Sequence, residues 1–260
     1  MNNRIITLKN KPKILSFAAV AGKKEAQGPL FNLFDAVYED TKMGADSWEK
    51  AESLLQKNAI KTALKKGNLR QEDVDVIFAG DLLNQCTGSS FGIKDFGIPF
   101  AGVYGACSTM ALSLCMAAMS VDSGYCNTAV AATSSHFCSA EKQFRKPLEY
   151  GGQRPPSAQW TVTGAGSAVV SKTAHQSAPK IEKIAIGKIC DLGITDANNM
   201  GAAMAPVDVK LTPYPTRYAL NLYTKISRER RWSNIYEYLR LLSFENMNRG
   251  VPNIVSYLLR

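Results

Sequence analysis

Long hydrophobic runs are missing from this chain of 260 residues. None approaches the roughly 18 to 20 apolar residues that a membrane-spanning helix needs, so a membrane-spanning protein is not expected. The longest early run, residues 14–21, is followed by Gly22-Lys23-Lys24-Glu25 rather than by a small-residue cleavage site. It predicts a first β-strand and not a signal peptide. With 45% hydrophobic residues, the sequence predicts a soluble globular protein with a packed core.

Metal-binding cysteine patterns are missing as well. The six cysteines fall at spacings that contain no CxxC and no paired Cys/His zinc pattern, so no metal site is predicted. Buried reduced thiols in a cytoplasmic protein are favoured over disulfides. Histidine is scarce, since His136 and His175 are the only two in the sequence. Any acid–base chemistry therefore has few side chains to draw on.

Positive charge is unevenly distributed along the chain. Of the formal net charge of +9, residues 207–260 contribute +5 through nine basic and four acidic side chains. This excess suggests an acidic partner, but the basic residues are scattered, so neither nucleic acid nor anionic lipid is predicted to bind. The same segment holds one of the 19 glycines and one alanine, Ala219. The character of the sequence therefore changes after Pro206.

Strand-like and helix-like segments alternate before that point. The predicted strands are residues 74–79, 98–104 and 128–133, and the predicted helices are residues 46–67 and 108–123. The first helix is expected to begin with a capping box formed by Asp46 and Glu49, and to end at Gly67. Such alternation predicts an α/β fold with a mostly parallel sheet covered by helices.

Less regular segments follow the last of these strands. Residues 141–157 are polar and irregular and include Arg145, which is typical of a long functional loop or lid. Two more strand-like runs, residues 160–171 and 181–190, are separated by a turn rich in Pro, Ser and Gln. Their spacing favours a hairpin.

Polar side chains follow the predicted strands at their carboxyl ends, where α/β sheets collect ligands. These side chains belong to Asp81, Asn84, Cys107 and His136. Asp and Asn also favour strand-to-helix turns because they form local hydrogen bonds. His136 has a similar alternative as a turn residue satisfied by its neighbours Ser134 and Ser135. The residue types alone leave both interpretations open.

Cys107 lies between a predicted strand and the predicted helix 108–123. A helix N-terminus favours negative charge, which lowers the pKa of a thiol and makes either a nucleophile or the floor of an anion pocket. Acyl transfer through a thiolate also needs a general base and donors for the oxyanion. His136 is the one plausible partner, so ligand binding is favoured over covalent catalysis.

Eight short motifs occur in an order that resembles the stage V sporulation protein AD family over roughly residues 10–206. They are GDLLNQ at 80–85, YGACST at 104–109, AATSSH at 131–136, QFR at 143–145, EYGGQ at 149–153, TVTGAG at 161–166, DLGITD at 191–196 and MGAAMAP at 200–206. The resemblance implies a thiolase-like fold, in which two similar α/β halves are related by internal pseudo-symmetry.

The resemblance also implies a function in spore formation. Members of the family bind dipicolinic acid (pyridine-2,6-dicarboxylic acid) and help to move it, with calcium, into the developing spore together with membrane proteins of the uptake system. The implied location is cytoplasmic, at the spore inner membrane through those partners, and a homodimer is expected by analogy. No cofactor is expected, and the expected ligand-binding residues are Asp81, Asn84, Cys107, His136 and Arg145. The alternative is an acyltransferase or condensing enzyme that uses Cys107 and a coenzyme A thioester.

Family members continue past the MGAAMAP motif with a second α/β half, which this sequence does not resemble. We therefore expect two regions, a thiolase-like N-terminal half at residues 1–206 and a divergent tail at 207–260 that is partly helical or disordered. The Tyr- and Arg-rich tail is typical of AT-rich coding sequence translated in a shifted frame. We interpret it as the result of a frameshift just after Pro206. One alternative is that the truncated product is non-functional, and another is a genuine divergent helical tail.

Overall fold

A six-stranded sheet with helices on both faces forms the centre of the fold. The computed structural model describes residues 5–28, 30–105, 108–144, 161–186 and residue 193. The strands of these ranges are β1 (Ile5–Thr7), β2 (Lys13–Gly22), β3 (Ala36–Tyr38), β4 (Val76–Gly80), β5 (Phe100–Gly102), β6 (Thr128–Ser135), β7 (Gly164–Ser171) and β8 (Lys183–Ala185). The α-helices are α1 (Trp48–Lys66), α2 (Thr87–Ile93), α3 (Thr109–Ser123) and α4 (Phe137–Phe144).

The central sheet has the strand order β3-β2-β7-β6-β4-β5. Strand β7 is antiparallel to both of its neighbours, β2 and β6, whereas the pairs β2–β3, β4–β6 and β4–β5 are parallel. Five of the six strands therefore run in one direction. This arrangement confirms the predicted α/β class with a mostly parallel sheet covered by helices.

The predicted hairpin between residues 160–171 and 181–190 is wrong. Strand β7 lies in the middle of the central sheet, and β8 pairs with β1 in a separate two-stranded sheet. Both faces of β7 are covered, and all eight of its residues are buried. A strand of this kind needs a neighbour on each edge, and β2 and β6 supply them through main-chain hydrogen bonds.

Helix α1 begins one residue later than the predicted capping box implies. Its N-cap is Ser47, whose hydroxyl accepts a hydrogen bond from the backbone N–H of Lys50. Asp46 instead forms an ion pair with the Lys50 side chain at 2.7 Å. The cap is a serine because its short side chain reaches the free N–H groups of the first turn. The helix ends at Gly67, as predicted.

The two long helices cover opposite faces of the sheet. On one face, Ile60 of α1 packs in a buried cluster with Ile77 and Ala79 of β4 and with Val130 of β6. Successive side chains of a strand point to opposite faces, so Gly80 faces the other way. A Cβ at Gly80 would meet Thr109 at the start of α3. The end of β4 is therefore held between α1 and α3.

The elements from β2 to β7 belong to one compact unit, residues 6–152 and 161–184. A second unit comprises residues 1–5, 153–160 and 185–260, most of which lie outside the described ranges. The predicted boundary at residue 206 lies outside them too and stays a prediction. Among the described residues, no helix is both long enough and apolar enough to cross a bilayer.

Candidate functional site

The carboxyl ends of β4 and β6 lie side by side because the two strands are parallel neighbours. Gly80 at the end of β4 is paired in register with Thr133 of β6. Asp81 follows Gly80 directly, and His136 follows the end of β6. Asp81 and His136 therefore follow the carboxyl ends of two neighbouring strands, at the same edge of the sheet.

A buried polar network surrounds this edge, and we call it the strand-end network. Its members come from the end of β4, the start of α2, the end of β6, the start of α4 and the inward face of α1: Glu52, Gln56, Asp81, Ser89, Ser134, His136 and Ser139. Each is at most 3% exposed to solvent. Buried polar groups normally have hydrogen-bond partners within the protein, so the partners of each member define the site.

Asp81 is fully engaged by its own loop. One carboxylate oxygen, Oδ1, accepts a hydrogen bond from the backbone N–H of Leu83 at 2.8 Å. The other, Oδ2, accepts from both the N–H and the hydroxyl of Ser89 at 2.6 Å each. Asp81 therefore ties the end of β4 to the first turn of α2, whose N–H groups have no partner within the helix. The structure favours the turn role that the sequence left open for Asp81.

Gln56 joins this loop to α1. Its side-chain Nε2 donates to the carbonyl oxygen of Gly80 and to the hydroxyl of Ser89, both at 3.1 Å. These two acceptors fix the orientation of the amide, because the reversed amide would place two acceptors against its oxygen. The remaining atom, Oε1, is buried and has no hydrogen-bond partner among the described residues.

His136 uses both ring nitrogens within the protein. Nε2 lies 2.9 Å from the carbonyl oxygen of Thr41, and Nδ1 accepts the backbone N–H of Cys138 at 3.1 Å. A carbonyl oxygen only accepts and an N–H only donates, so the ring is the neutral tautomer with its proton on Nε2. Burial lowers the pKa of His136. The indole of Trp48 covers the ring, with 5.2 Å between the ring centroids.

The predicted local partners of His136 make other contacts. The hydroxyl of Ser134 turns to Glu52 of α1, at 3.2 Å from Oε1. The hydroxyl of Ser135 is buried without a hydrogen-bond partner among the described residues. Main-chain groups satisfy the imidazole, because they lie in fixed positions on both sides of the ring. The single N–H of His136 reaches a ligand only if its bond to Thr41 breaks.

Glu52 lies beneath the turn that carries His136. Its Oε2 lies 2.5 Å from the hydroxyl of Ser139, and its Oε1 accepts from Ser134. Burial is the main cause that raises the pKa of Glu52 to about 8, and the nearby Asp81 raises it further, while the two serine contacts lower it. At neutral pH this carboxyl group is therefore mostly protonated.

The sequence interpretation missed Glu52 and Gln56. Both are charged or polar residues of a helix, which usually face solvent. The available signal was their spacing, because they fall four residues apart between Trp48 and Ile60 and so share the inward face of α1. Polar side chains at core positions of an amphipathic helix indicate a buried network.

The other predicted site residues, Asn84, Cys107 and Arg145, are not among the residues that define the strand-end network. Asn84 lies on the surface in the short turn before α2, and its carbonyl oxygen accepts from the hydroxyl of Thr87. Cys107 and Arg145 lie outside the described residues. Gly105 and Ser108, which flank the Cys107 position, are joined because the N–H and hydroxyl of Ser108 both donate to the Gly105 carbonyl.

A metal site is not formed by protein ligands alone in the part of the chain that the structure describes. No group of three or more His, Cys, Asp or Glu side chains converges there in a way that could hold an ion. The acidic side chains of the strand-end network, Glu52 and Asp81, are already in hydrogen-bond contact with serine side chains and backbone N–H groups.

Comparisons with known proteins confirm the predicted family. The family model described as Stage V sporulation protein AD (SpoVAD) matches residues 2–213. The stage V sporulation protein AD of Bacillus subtilis (strain 168) is 46% identical over 191 residues, which cover 74% of this chain and 56% of that protein. The chain therefore spans a little more than half the length of this relative.

Solved structures with a similar chain path share little sequence with this protein. A variant of OleA from Xanthomonas campestris, bound with cerulenin, is 14% identical and gives a TM-score of 0.46, covering 68% of this chain and 61% of that one. The 3-oxoacyl-[acyl-carrier-protein] synthase III from Aquifex aeolicus VF5 is 16% identical, with a TM-score of 0.41 and coverages of 62% and 53%. No chemistry is drawn from these likenesses. On the family match and the identity to the sporulation protein, the chain belongs to the stage V sporulation protein AD family, as its motifs predicted.

Proposed function

We propose that this protein binds dipicolinic acid as its calcium complex and assists its uptake into the developing spore. The observation that carries the proposal is the buried polar network at the carboxyl edge shared by β4 and β6, the edge at which α/β sheets take their ligands. Family membership supports a role in sporulation, since the matched relative is a sporulation protein. Because the chain spans part of that relative, its activity is inferred from the site and the family together.

The chemistry of the ligand fits the proposed position. Dipicolinate is a planar dianion, and it needs donors or positive potential on the side that its calcium ion leaves open. Helix α3 begins at Thr109, directly after the Cys107 loop, and the N-terminus of a helix of 15 residues favours an anion. Arg145 is proposed to pair with one carboxylate in a bidentate manner.

In this proposal Asp81 and His136 mainly hold the walls of the site. Asp81 fixes the loop between β4 and α2, and His136 fixes the turn after β6 through its bonds to Thr41 and Cys138. Cys107 and Arg145 are the proposed contacts with the ligand, and Asn84 lies on the exposed side of the same loop. The predicted ligand roles of Asp81 and His136 require each to exchange a present partner for the ligand.

We also propose that the protein is not an enzyme. Acyl transfer through Cys107 needs a base to take the thiol proton, and His136 is the candidate. In the described structure the lone pair of His136 accepts the N–H of Cys138, and its proton is held by Thr41. A ring in this state neither takes a proton from a thiol nor stabilises a thiolate by charge. These contacts support a binding role over the acyltransferase alternative.

Calorimetric titration of the full chain with calcium dipicolinate tests the proposal. We expect saturable heat for the wild type, and a loss of affinity of at least about tenfold for Cys107→Ala and Arg145→Gln. Cys126→Ala is the matched control, because Cys126 is a buried cysteine in the turn before β6, at the opposite end of that strand from the proposed site. Equal affinities for all four proteins would contradict the proposed contacts.

Intact-mass measurement separates the enzymatic alternative. Full-length protein is incubated with an acyl coenzyme A thioester and weighed. A non-catalytic protein keeps its mass, whereas an acyltransferase gains an acyl group that is lost in Cys107→Ala. A stable adduct on wild-type protein would overturn the non-catalytic proposal while leaving ligand binding to be decided by calorimetry.

The proposed partners are membrane proteins of the same uptake system and a second copy of this chain. Family membership is the support for both, and the proposed location is the cytoplasmic side of the spore inner membrane. Fractionation of sporulating cells tests the location, because removal of the partner membrane proteins should release the protein from the membrane fraction. Sedimentation equilibrium of the purified chain tests the dimer.

A further inference from the structure

The hydroxyl of Ser139 has one proton and two oxygen neighbours. It lies 3.0 Å from the carbonyl oxygen of His136 and 2.5 Å from Oε2 of Glu52. A carbonyl oxygen only accepts, so the contact with His136 is a hydrogen bond only when Ser139 donates its proton there. The contact with Glu52 is then a hydrogen bond only if Glu52 supplies the proton. Both contacts are satisfied together when Glu52 is a carboxylic acid and not a carboxylate.

The hydrogen bond at Oε1, the other oxygen of Glu52, is also consistent with a protonated carboxyl group. The hydroxyl of Ser134 lies 3.2 Å from Oε1 and donates to it. Glu52 then acts as a donor at one oxygen and as an acceptor at the other, which uses its one proton and leaves neither oxygen without a partner. Ser134 and Ser139 stand on the two sides of His136 in the chain, so Glu52 holds both ends of that turn.

The surroundings of Glu52 contain no cation, among the described residues, that would favour a charged carboxylate. The charged groups that act on it are Asp81, from the loop after β4, and Glu49, from its own helix, and both are acidic. The imidazole of the turn after β6, His136, is neutral. Glu52 itself has no exposed surface. A buried carboxylate without a positive partner is strongly disfavoured.

We propose that Glu52 is a neutral carboxylic acid in the folded protein, and that it is the positioning residue for the turn that carries His136. As a donor to Ser139 and an acceptor from Ser134, it fastens residues 134–139 to α1. The consequence for ligand affinity rests on the proposed function, whereas the protonation state and the position of the turn do not.

The protonation state is tested with Glu52→Gln, because an amide makes the same two bonds and cannot ionise. The unfolded wild type ionises near the ordinary glutamate pKa of about 4.3, whereas folded Glu52 keeps its proton to higher pH. Unfolding therefore releases one proton, and stability is full at low pH and lost as pH rises. Urea unfolding between pH 5.5 and 7.5 should show the unfolding constant of the wild type rising about tenfold per pH unit relative to Glu52→Gln.

Glu72→Gln is the control for that experiment, since Glu72 is an exposed carboxyl in a short turn outside the network. Its unfolding constant should keep a fixed ratio to that of the wild type over the same pH range. A fixed ratio for Glu52→Gln as well would overturn the neutral acid. In that case, the infrared difference spectrum between the wild type and Glu52→Gln would show no band from a protonated carboxyl group.

The positioning role is tested with Glu52→Ala, which removes both bonds and leaves a good helix former in α1. The chain has two histidines, so the side-chain ¹H–¹⁵N spectrum reports His136 directly and His175 as an internal control. We expect the His136 signals to keep the pattern of the Nε2-protonated tautomer in Glu52→Gln and to shift in Glu52→Ala. Unchanged His136 signals in a folded Glu52→Ala would overturn the positioning role.

Dipicolinate affinity gives a second readout of positioning. The dissociation constant should rise at least about tenfold in Glu52→Ala and return to within about twofold of the wild type in Glu52→Gln. If the wild type gives no binding heat, the proposed function fails, and the unfolding and NMR experiments still decide the inference on Glu52. If the wild type binds and Glu52→Ala binds equally well, the positioning role fails alone.

Discussion

Ser139 and Glu52 are joined by a contact of 2.5 Å between the serine hydroxyl and the glutamate Oε2, and both residues are at most 1% exposed. They are 87 residues apart in the sequence, one in α1 and the other in the first turn of α4. The contact fastens the end of β6 to the helix that covers the sheet. The turn after β6 is thus connected to a buried residue of α1.

Ser139→Ala should destabilise the protein because it leaves the Glu52 proton without its acceptor inside the core. We expect the free energy of unfolding to fall by about 1 to 3 kcal/mol, measured by urea denaturation at pH 7. Ser123→Ala is the control, since Ser123 bonds to a main-chain carbonyl at the exposed end of α3. That change should cost less than about 0.5 kcal/mol. Equal losses in both variants would contradict the buried bond.

Asp81→Ala should open the loop between β4 and α2. Three donors, from Leu83 and Ser89, lose their acceptor in a site that water does not reach. We expect a loss of about 3 kcal/mol in the free energy of unfolding and faster proteolysis between residues 82 and 88. Asp95→Ala, an exposed partner of Lys57, is the control and should leave proteolysis of this loop unchanged. An intact, protease-resistant loop in Asp81→Ala would show that Asp81 is free for another role.

Gly80→Ala should be poorly tolerated because β4 is closely packed at its end. A Cβ there would overlap the carbonyl oxygen of Val103 and lie 2.7 Å from Cγ2 of Thr109. A main-chain carbonyl cannot move without disturbing β5, so we expect a loss of about 3 kcal/mol in the free energy of unfolding. Gly28→Ala, where the nearest atom is a carbonyl oxygen at 3.2 Å, is the control. Comparable stability of the two variants would contradict the packing described at β4.

The pH dependence of stability should contain a contribution from His136. Burial lowers its folded-state pKa below the value of about 6.5 that it has in the unfolded chain. The unfolded state then binds the proton more readily, so stability is present above pH 6.5 and is lost as pH falls toward the folded value. The wild type should lose up to about 1.4 kcal/mol per pH unit in this window relative to His136→Gln. Glu52 makes stability fall, not rise, with increasing pH. Because the wild type and His136→Gln both contain Glu52, its contribution cancels when their stabilities are compared.

His175→Gln is the control for the His136 measurement because His175 lies on the surface, near Ser177. It should follow the wild type from pH 7.5 to pH 5.5. If His136→Gln follows the wild type as well, His136 is not held neutral by the fold.

Local patterns predicted the helices and strands that carry the site. Helix α1 ends at Gly67 as expected, and α3 agrees with the predicted helix 108–123 to within one residue at each end. The strands β4 and β6 agree to within two residues at each end. These elements are long or strongly apolar, so their periodicity is set by the residues within them. The residues that follow them, Asp81 and His136, could for the same reason be placed at one edge of the sheet.

Strand pairing could not be read from the same patterns. Strand β7 pairs with β2 and β6, and its register with β2 joins residues about 150 positions apart, such as Phe17 and Ala168. Nothing in residues 160–171 distinguishes these partners from a neighbouring strand in a hairpin. The choice depends on which edges of the sheet are left open by the other strands, and this is a property of the whole fold.

The hydrogen-bond partners of Asp81 and His136 could not be predicted from local sequence patterns either. Asp81 is paired with Ser89 of α2, and the imidazole of His136 with the main chain of Thr41. Each bond joins segments that come together only after the sheet and its helices have formed. The sequence could indicate that Asp81 is either a ligand or a turn residue, and the contacts with the start of α2 favour the turn.

We propose that this chain binds calcium dipicolinate at the edge shared by β4 and β6. The most direct measurement is a calorimetric titration of the full-length protein with calcium dipicolinate, beside one with benzene-1,3-dicarboxylate and calcium. That compound has the same carboxylates without the ring nitrogen that helps to chelate the ion. We expect saturable binding of calcium dipicolinate, and binding at least about tenfold weaker for the analogue. Absence of binding heat from folded protein, or equal affinity for both compounds, would contradict it.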